Sequence, residues 1–96
     1  MNFYDSNRLG RKVSTIYGGF DVETSPISIP INGRLCTVNV LSGVVWVNPL
    51  GVATTNSIEL TGAIDIVVDG DISLISNADG AKVQIIVWGW CYETNT

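Results

Sequence analysis

Histidine is absent from this 96-residue sequence, and cations are scarce, with five Lys and Arg against nine Asp and Glu. Without an imidazole, the serines have no basic partner beyond Lys82 and the arginines, so no nucleophilic triad can be built. Two cysteines without histidine make no zinc site. Helix formers are also few. Ala, Leu, Met, Glu, Gln, Lys and Arg together number 20, whereas Val, Ile and Thr number 31. Stiff β-branched side chains suit pleated strands, which excludes a helical bundle. No uncharged apolar stretch approaches the ~20 residues that a membrane-spanning helix needs. The opening MNFYDSNRLGRK has no apolar run after its charges, so no secretory leader is expected and synthesis in a cytoplasm is. There is no glycine-rich phosphate loop.

Acidic residues are plentiful but do not make a site. Asp65, Asp69, Asp71 and Asp79 lie close together, yet D-I-V-V-D-G-D does not follow the spacing of a calcium-binding loop. Asp69 and Asp71 flank a glycine and read as turn residues. A glycosidase would need two carboxylates in an enclosed cleft, one with a raised pKa, and no such pair is legible. The expectation is a protein that is not an enzyme and carries neither cofactor nor metal.

The charges that are present are unevenly placed. Residues 1–12 carry Arg8, Arg11 and Lys12 against Asp5, a local +2, and the remainder carries Arg34 and Lys82 against eight acids, a local −6. A basic arm on an acidic body can dock on an acidic surface, of its own subunit or of a neighbour. The same acidic body repels phosphate, so no nucleic-acid partner is expected.

From Gly19 onward the chain reads as short apolar runs between turn residues. Strands are expected at Phe20–Glu23, Ile27–Ile31, Arg34–Leu41, Val44–Asn48, Ser57–Leu60, Ile64–Val68, Ile72–Ile75 and Lys82–Tyr92. Residues 1–18 have no clear period, although pieces such as Val13–Tyr17 look strand-like. Asn32-Gly33 and Asp69-Gly70 read as two-residue hairpin turns, because both dipeptides tolerate positive φ. Eight short strands without intervening helices predict an all-β fold, an antiparallel β-sandwich or jelly-roll-like barrel. Residues 1–18 would form a basic amino-terminal arm and residues 19–96 the sandwich body.

Alternation assigns the faces. Ile64, Ile66 and Val68, with Ile72 and Leu74, point one way, and Asp65, Asp71 and Ser73 point the other. Trp46 alternates with Val44 in VVWVN, and a core position is expected for it. Cys36 and Cys91 lie in strand-like runs. They read as buried thiols in a reducing compartment, or as a disulfide outside the cell. The last strand is apolar on both sides, with Val83, Ile85, Val87, Gly89 and Cys91 on one face and Gln84, Ile86, Trp88, Trp90 and Tyr92 on the other. A two-layer domain covers only one of these faces by itself. The expected contact residues are therefore Ile86, Trp88, Trp90 and Tyr92, with Arg8, Arg11 and Lys12 of the arm, because aromatics gathered on one strand are the usual anchors of protein interfaces.

The run SGVVWVNPLGVATTNSIELTGAIDIVVDGDISLISNADGAKVQIIVWGW, over residues 42–90, resembles the small all-β structural proteins of tailed bacteriophage particles. A short strand, a Pro/Gly/Ala/Thr-rich connection, and Gly- and Asp-punctuated turns ending in a hydrophobic strand carry the likeness. No motif maps residue by residue, so no functional residue is transferred. The resemblance implies a virion location, with synthesis in the host cytoplasm. It implies binding to other virion proteins, foremost the major capsid protein, as a capsid decoration (cement) protein. A small tail, neck or fibre adaptor is the variant of that reading. A homo-oligomer such as a trimer fits it, and no membrane partner is expected. A carbohydrate-binding module, with Trp46, Trp88 or Trp90 stacking on sugar rings, is the alternative from a different class.

Overall fold

The computed structural model describes the backbone of residues 11–90 and the side chains of residues 13–89. Eight antiparallel strands run in the order β1 (Arg11–Val22), β2 (Ile27–Pro30), β3 (Arg34–Ser42), β4 (Val45–Asn48), β5 (Ile58–Leu60), β6 (Ala63–Val68), β7 (Asp71–Ser76) and β8 (Ala81–Trp90). They form two four-stranded sheets, β1-β8-β3-β6 and β2-β7-β4-β5. The pairing is nested: β1 with β8, β2 with β7, β3 with β6 and β4 with β5. One long ribbon, closed at β4–β5, folds over itself so that successive pairs lie in alternate sheets. That is the jelly-roll form of a β-sandwich, with two open sheets rather than a closed barrel.

This topology corrects both expected hairpins. Asn32 (φ 59°) and Gly33 (φ 82°) do adopt the left-handed backbone that a tight primed turn needs, and Arg34 N–H donates to the Ile31 carbonyl. Yet the turn passes the chain from β2 in one sheet to β3 in the other. Asp69-Gly70 likewise joins β6 to β7 across the sheets, and Gly70 is not among the described residues with positive φ. The two turns lie side by side. Ile31 and Asn32 N–H both donate to the Gly70 carbonyl, and Gly33 N–H donates to the Val68 carbonyl. At the opposite end Gly43 (φ 83°) turns β3 into β4, where an added Cβ would lie 2.7 Å from the Gly80 carbonyl oxygen. Only glycine fits that corner.

The first strand is also longer than expected. The break at residue 18 does not appear in the backbone, because residues 11–18 belong to the same strand as 19–22. Register shifts against β8 fall between Val13 and Thr15 and between Tyr17 and Phe20. Each bulge resets the alternation, which hides the two-residue period from a sequence reading. Residues 1–10 and 91–96, including Arg8, Cys91 and Tyr92, lie outside the described residues.

The core between the sheets is built from Val, Ile and Leu of both inner faces. Val38, Val83 and Ile85 from one sheet meet Val45, Val47, Ile72 and Leu74 from the other, all fully buried. Two buried serines in β7 are satisfied: Ser76 Oγ donates to the Val44 carbonyl at 2.7 Å, and Ser73 Oγ accepts from Ala53 N–H at 2.9 Å. Trp46 is not in this core. Val45 and Val47 take the inner positions, so Trp46 stands half-buried on the outer face, beside Ile75 of β7 and Glu59 of β5. Val44 and Val45 are both apolar, so either phase of alternation satisfied the sequence.

Candidate functional site

Strand β8 places Val83, Ile85 and Val87 in the core and sends Gln84, Ile86 and Trp88 to the outer face of its sheet, where all three are half-buried. Its neighbours supply the surroundings of that face. On one side Val13 pairs with Trp88 and Ile16 with Ile86; on the other, Thr37 of β3 pairs with Ile86 and, across β3, with Asp65 of β6. Residues directly opposite share a face, so Val13, Ile16, Ile86 and Trp88 form one apolar surface. Ile16 is 58% exposed and Val13 44%, and Val67 of β6, on the same outer face, is 61% exposed.

Trp88 is held in place rather than projecting freely. Its Nε1–H donates to Thr37 Oγ1 at 2.9 Å, and the Thr37 hydroxyl in turn donates to Asp65 Oδ1 at 2.6 Å. The threonine oxygen accepts one bond and gives another, so the chain polarises in one direction toward a charged acceptor. The result is an indole oriented across the strands, with apolar side chains beside it. At the edge of the same sheet, Arg34 Nη1 donates to Ser14 Oγ at 2.9 Å, tying β3 to the first bulge of β1. Lys82 and Asp21 form an exposed ion pair at 3.3 Å.

Beneath this face Cys36 points inward and is a free, buried thiol. Burial, and secondarily the negative charge of Asp65, push its pKa up to about 11. It is protonated at neutral pH and behaves as a small apolar group. Among the described residues, no group of three or more His, Cys, Asp and Glu side chains is placed to hold a metal ion. Among the described residues there is no helix, and so none long and apolar enough to cross a membrane.

Of the contact residues expected from sequence, Ile86 and Trp88 share the outer face. Trp90 closes β8 in register with Arg11, and Lys12 pairs with Gly89. The structure adds Val13, Ile16, Thr37 and Asp65, of which only the outward facing of Asp65 was legible by alternation. Val13 and Ile16 fall in a segment whose bulges erase the period, and the Thr37–Asp65 contact depends on pairing strands 28 residues apart. The described tryptophans, Trp46 and Trp88, stand on opposite outer faces of the sandwich and share no platform.

A second exposed feature lies in the loop between β4 and β5. Asn48 braces it, accepting from Leu50 N–H at 2.9 Å and donating to the Val52 carbonyl at 3.2 Å. Leu50 at its tip is 92% exposed. No protein-family model matches the chain, and neither a curated protein nor a solved structure matches it.

Proposed function

We propose that this chain is a non-enzymatic assembly protein that binds other protein chains through the outer face of the β1-β8-β3-β6 sheet. The single observation behind this reading is the apolar surface of Val13, Ile16, Ile86 and Trp88 on a side of the sandwich that its own core does not cover. Scattered apolar side chains on a surface are ordinary, but a contiguous set around an oriented indole is a contact surface. In the setting suggested by the resemblance, the partner is the major capsid protein and the role is decoration of an assembled shell. A ligand that binds only the assembled state stabilises that state by mass action. Attachment to tail, neck or fibre proteins uses the same face and differs only in the partner.

The test is co-sedimentation of the purified protein with assembled shells of the major capsid protein. Wild-type protein pellets with the shells, and Ile86→Asp, folded by circular dichroism, stays in solution. Failure of the wild type to bind shells, tails and fibres overturns the virion setting. Equal binding by Ile86→Asp overturns the face.

A further inference from the structure

The four sheet edges are not alike. β2 has four residues and ends on Pro30, which has no N–H to offer a new strand. β5 has three residues. β6 has six, with Asp65 in its middle. Each is blunted by shortness, proline or charge, the usual guards against edge-to-edge pairing. β1 is the exception: an edge strand of 12 residues with no proline and no charge from Val13 to Phe20. Its ends are oppositely charged in sequence, with Arg11 and Lys12 opening it and Asp21 and Glu23 at and just beyond its close.

A strand that is positive at its start and negative at its finish is complementary to itself when reversed. We infer that β1 pairs antiparallel with β1 of a second copy about a two-fold axis near Ile16, joining two sheets into one of eight strands. An axis at Ile16 sets Arg11 opposite the second copy's Asp21, with Trp90 and Lys82 as their respective register partners on β8, and brings Lys12 to the same acidic end. Cross-strand pairs of opposite charge stabilise such a register, and the parallel alternative sets like charges together. The regular stretch between the two bulges, Thr15–Tyr17, lies at the axis, and a Cβ at Gly18 would meet nothing within 4 Å. The backbone there is open to approach. A two-fold axis makes the contact self-complementary and closed, so the product is a dimer rather than a fibre. Ile16 of the two copies then adjoin across the axis, and the outer apolar face becomes continuous across the pair. The pairing does not depend on which chain covers that face.

The test exchanges the charges. Arg11→Glu/Lys12→Glu makes both ends of β1 acidic, and Asp21→Lys/Glu23→Lys makes both ends basic. In sedimentation velocity the wild type is a dimer, and each double variant alone dissociates at concentrations at least about tenfold higher than wild type. An equimolar mixture restores a dimer, because each acidic end meets a basic one. As a check without substitutions, amides of Thr15–Tyr17 in the wild type lose exchange protection on dilution in step with dissociation. A monomeric wild type at millimolar concentration, a trimer, unimpaired self-association of either variant, or no heterodimer on mixing overturns the proposal. None of these results bears on Ile86→Asp binding to shells, so the edge and the face fail separately.

Discussion

Both sheets line the core but they differ on their outer faces. Outside β2-β7-β4-β5 stand Ser28, Pro30, Asp71, Asn48 and Glu59, with Ser73 buried there beneath Ala53 and with Trp46 and Ile75 as the apolar exceptions. Outside β1-β8-β3-β6 stand Val13, Ile16, Ile86, Trp88 and Val67, with Thr37 and Asp65 engaged in orienting the indole and with Gln84, Asn39 and the Asp21–Lys82 ion pair toward one end. A two-layer sandwich hides two faces and leaves two in water. Where one outer face gathers Val13, Ile16 and Ile86 beside an oriented indole and the other does not, the asymmetry is not a requirement of folding. It points to what the second face meets.

The sharpest contrast lies within β8 itself. Ile85 is fully buried and Ile86 is its outward neighbour. Ile85→Ala removes core contacts and leaves a cavity, and should lower unfolding free energy by about 3–4 kcal/mol in a denaturant titration. An Ile86→Ala change should cost only about 1 kcal/mol of folding stability in the same titration, because its side chain is half-buried. Equal losses would mean that both sides of β8 serve the monomer's stability. The corners that hold the sheets apart come next. Gly43→Ala forces a Cβ against the Gly80 carbonyl at positive φ and should cost about 2–4 kcal/mol.

The core beneath the apolar face is also tested by pH. The Cys36 thiol has its pKa raised to about 11, so the folded state keeps a proton that the unfolded chain releases near pH 9. Stability therefore falls as pH rises from about 9 toward 11, at up to about 1.4 kcal/mol per unit, and is unaffected below that window. Cys36→Val should flatten this part of the stability profile, and an unchanged slope would remove Cys36 as its source. The smallest effect is expected at Thr37. Thr37→Val removes the hydroxyl that accepts from the Trp88 N–H, and should cost about 1 kcal/mol while shifting the Trp88 indole proton in an NMR spectrum.

Much of the fold was legible because short runs rich in valine and isoleucine are separated by turn residues from Ile27 to Val87. Seven of the eight strands lie within a few residues of their expected positions. The connections were not legible. Asn32-Gly33 has the same backbone requirement whether it closes a hairpin or turns a sandwich corner, and only the long-range pairs β3 with β6 and β2 with β7 decide between them. Bulges concealed β1, and the Val44-Val45 doublet concealed the facing of Trp46. For the candidate face, Ile86 and Trp88 could be read from one strand. Val13, Ile16, Thr37 and Asp65 could not, because what unites them is register between strands distant in sequence.

The central claim is that the two outer faces differ in purpose, and a matched pair of substitutions tests it. Ile86 and Ile75 are both half-buried isoleucines on outer faces, one on each sheet. Affinity for assembled shells should fall by at least about tenfold in Ile86→Asp and by less than about twofold in Ile75→Asp, with both variants folded. Equal loss in both, or loss confined to Ile75→Asp, would contradict the assignment of the contact to the β1-β8-β3-β6 face.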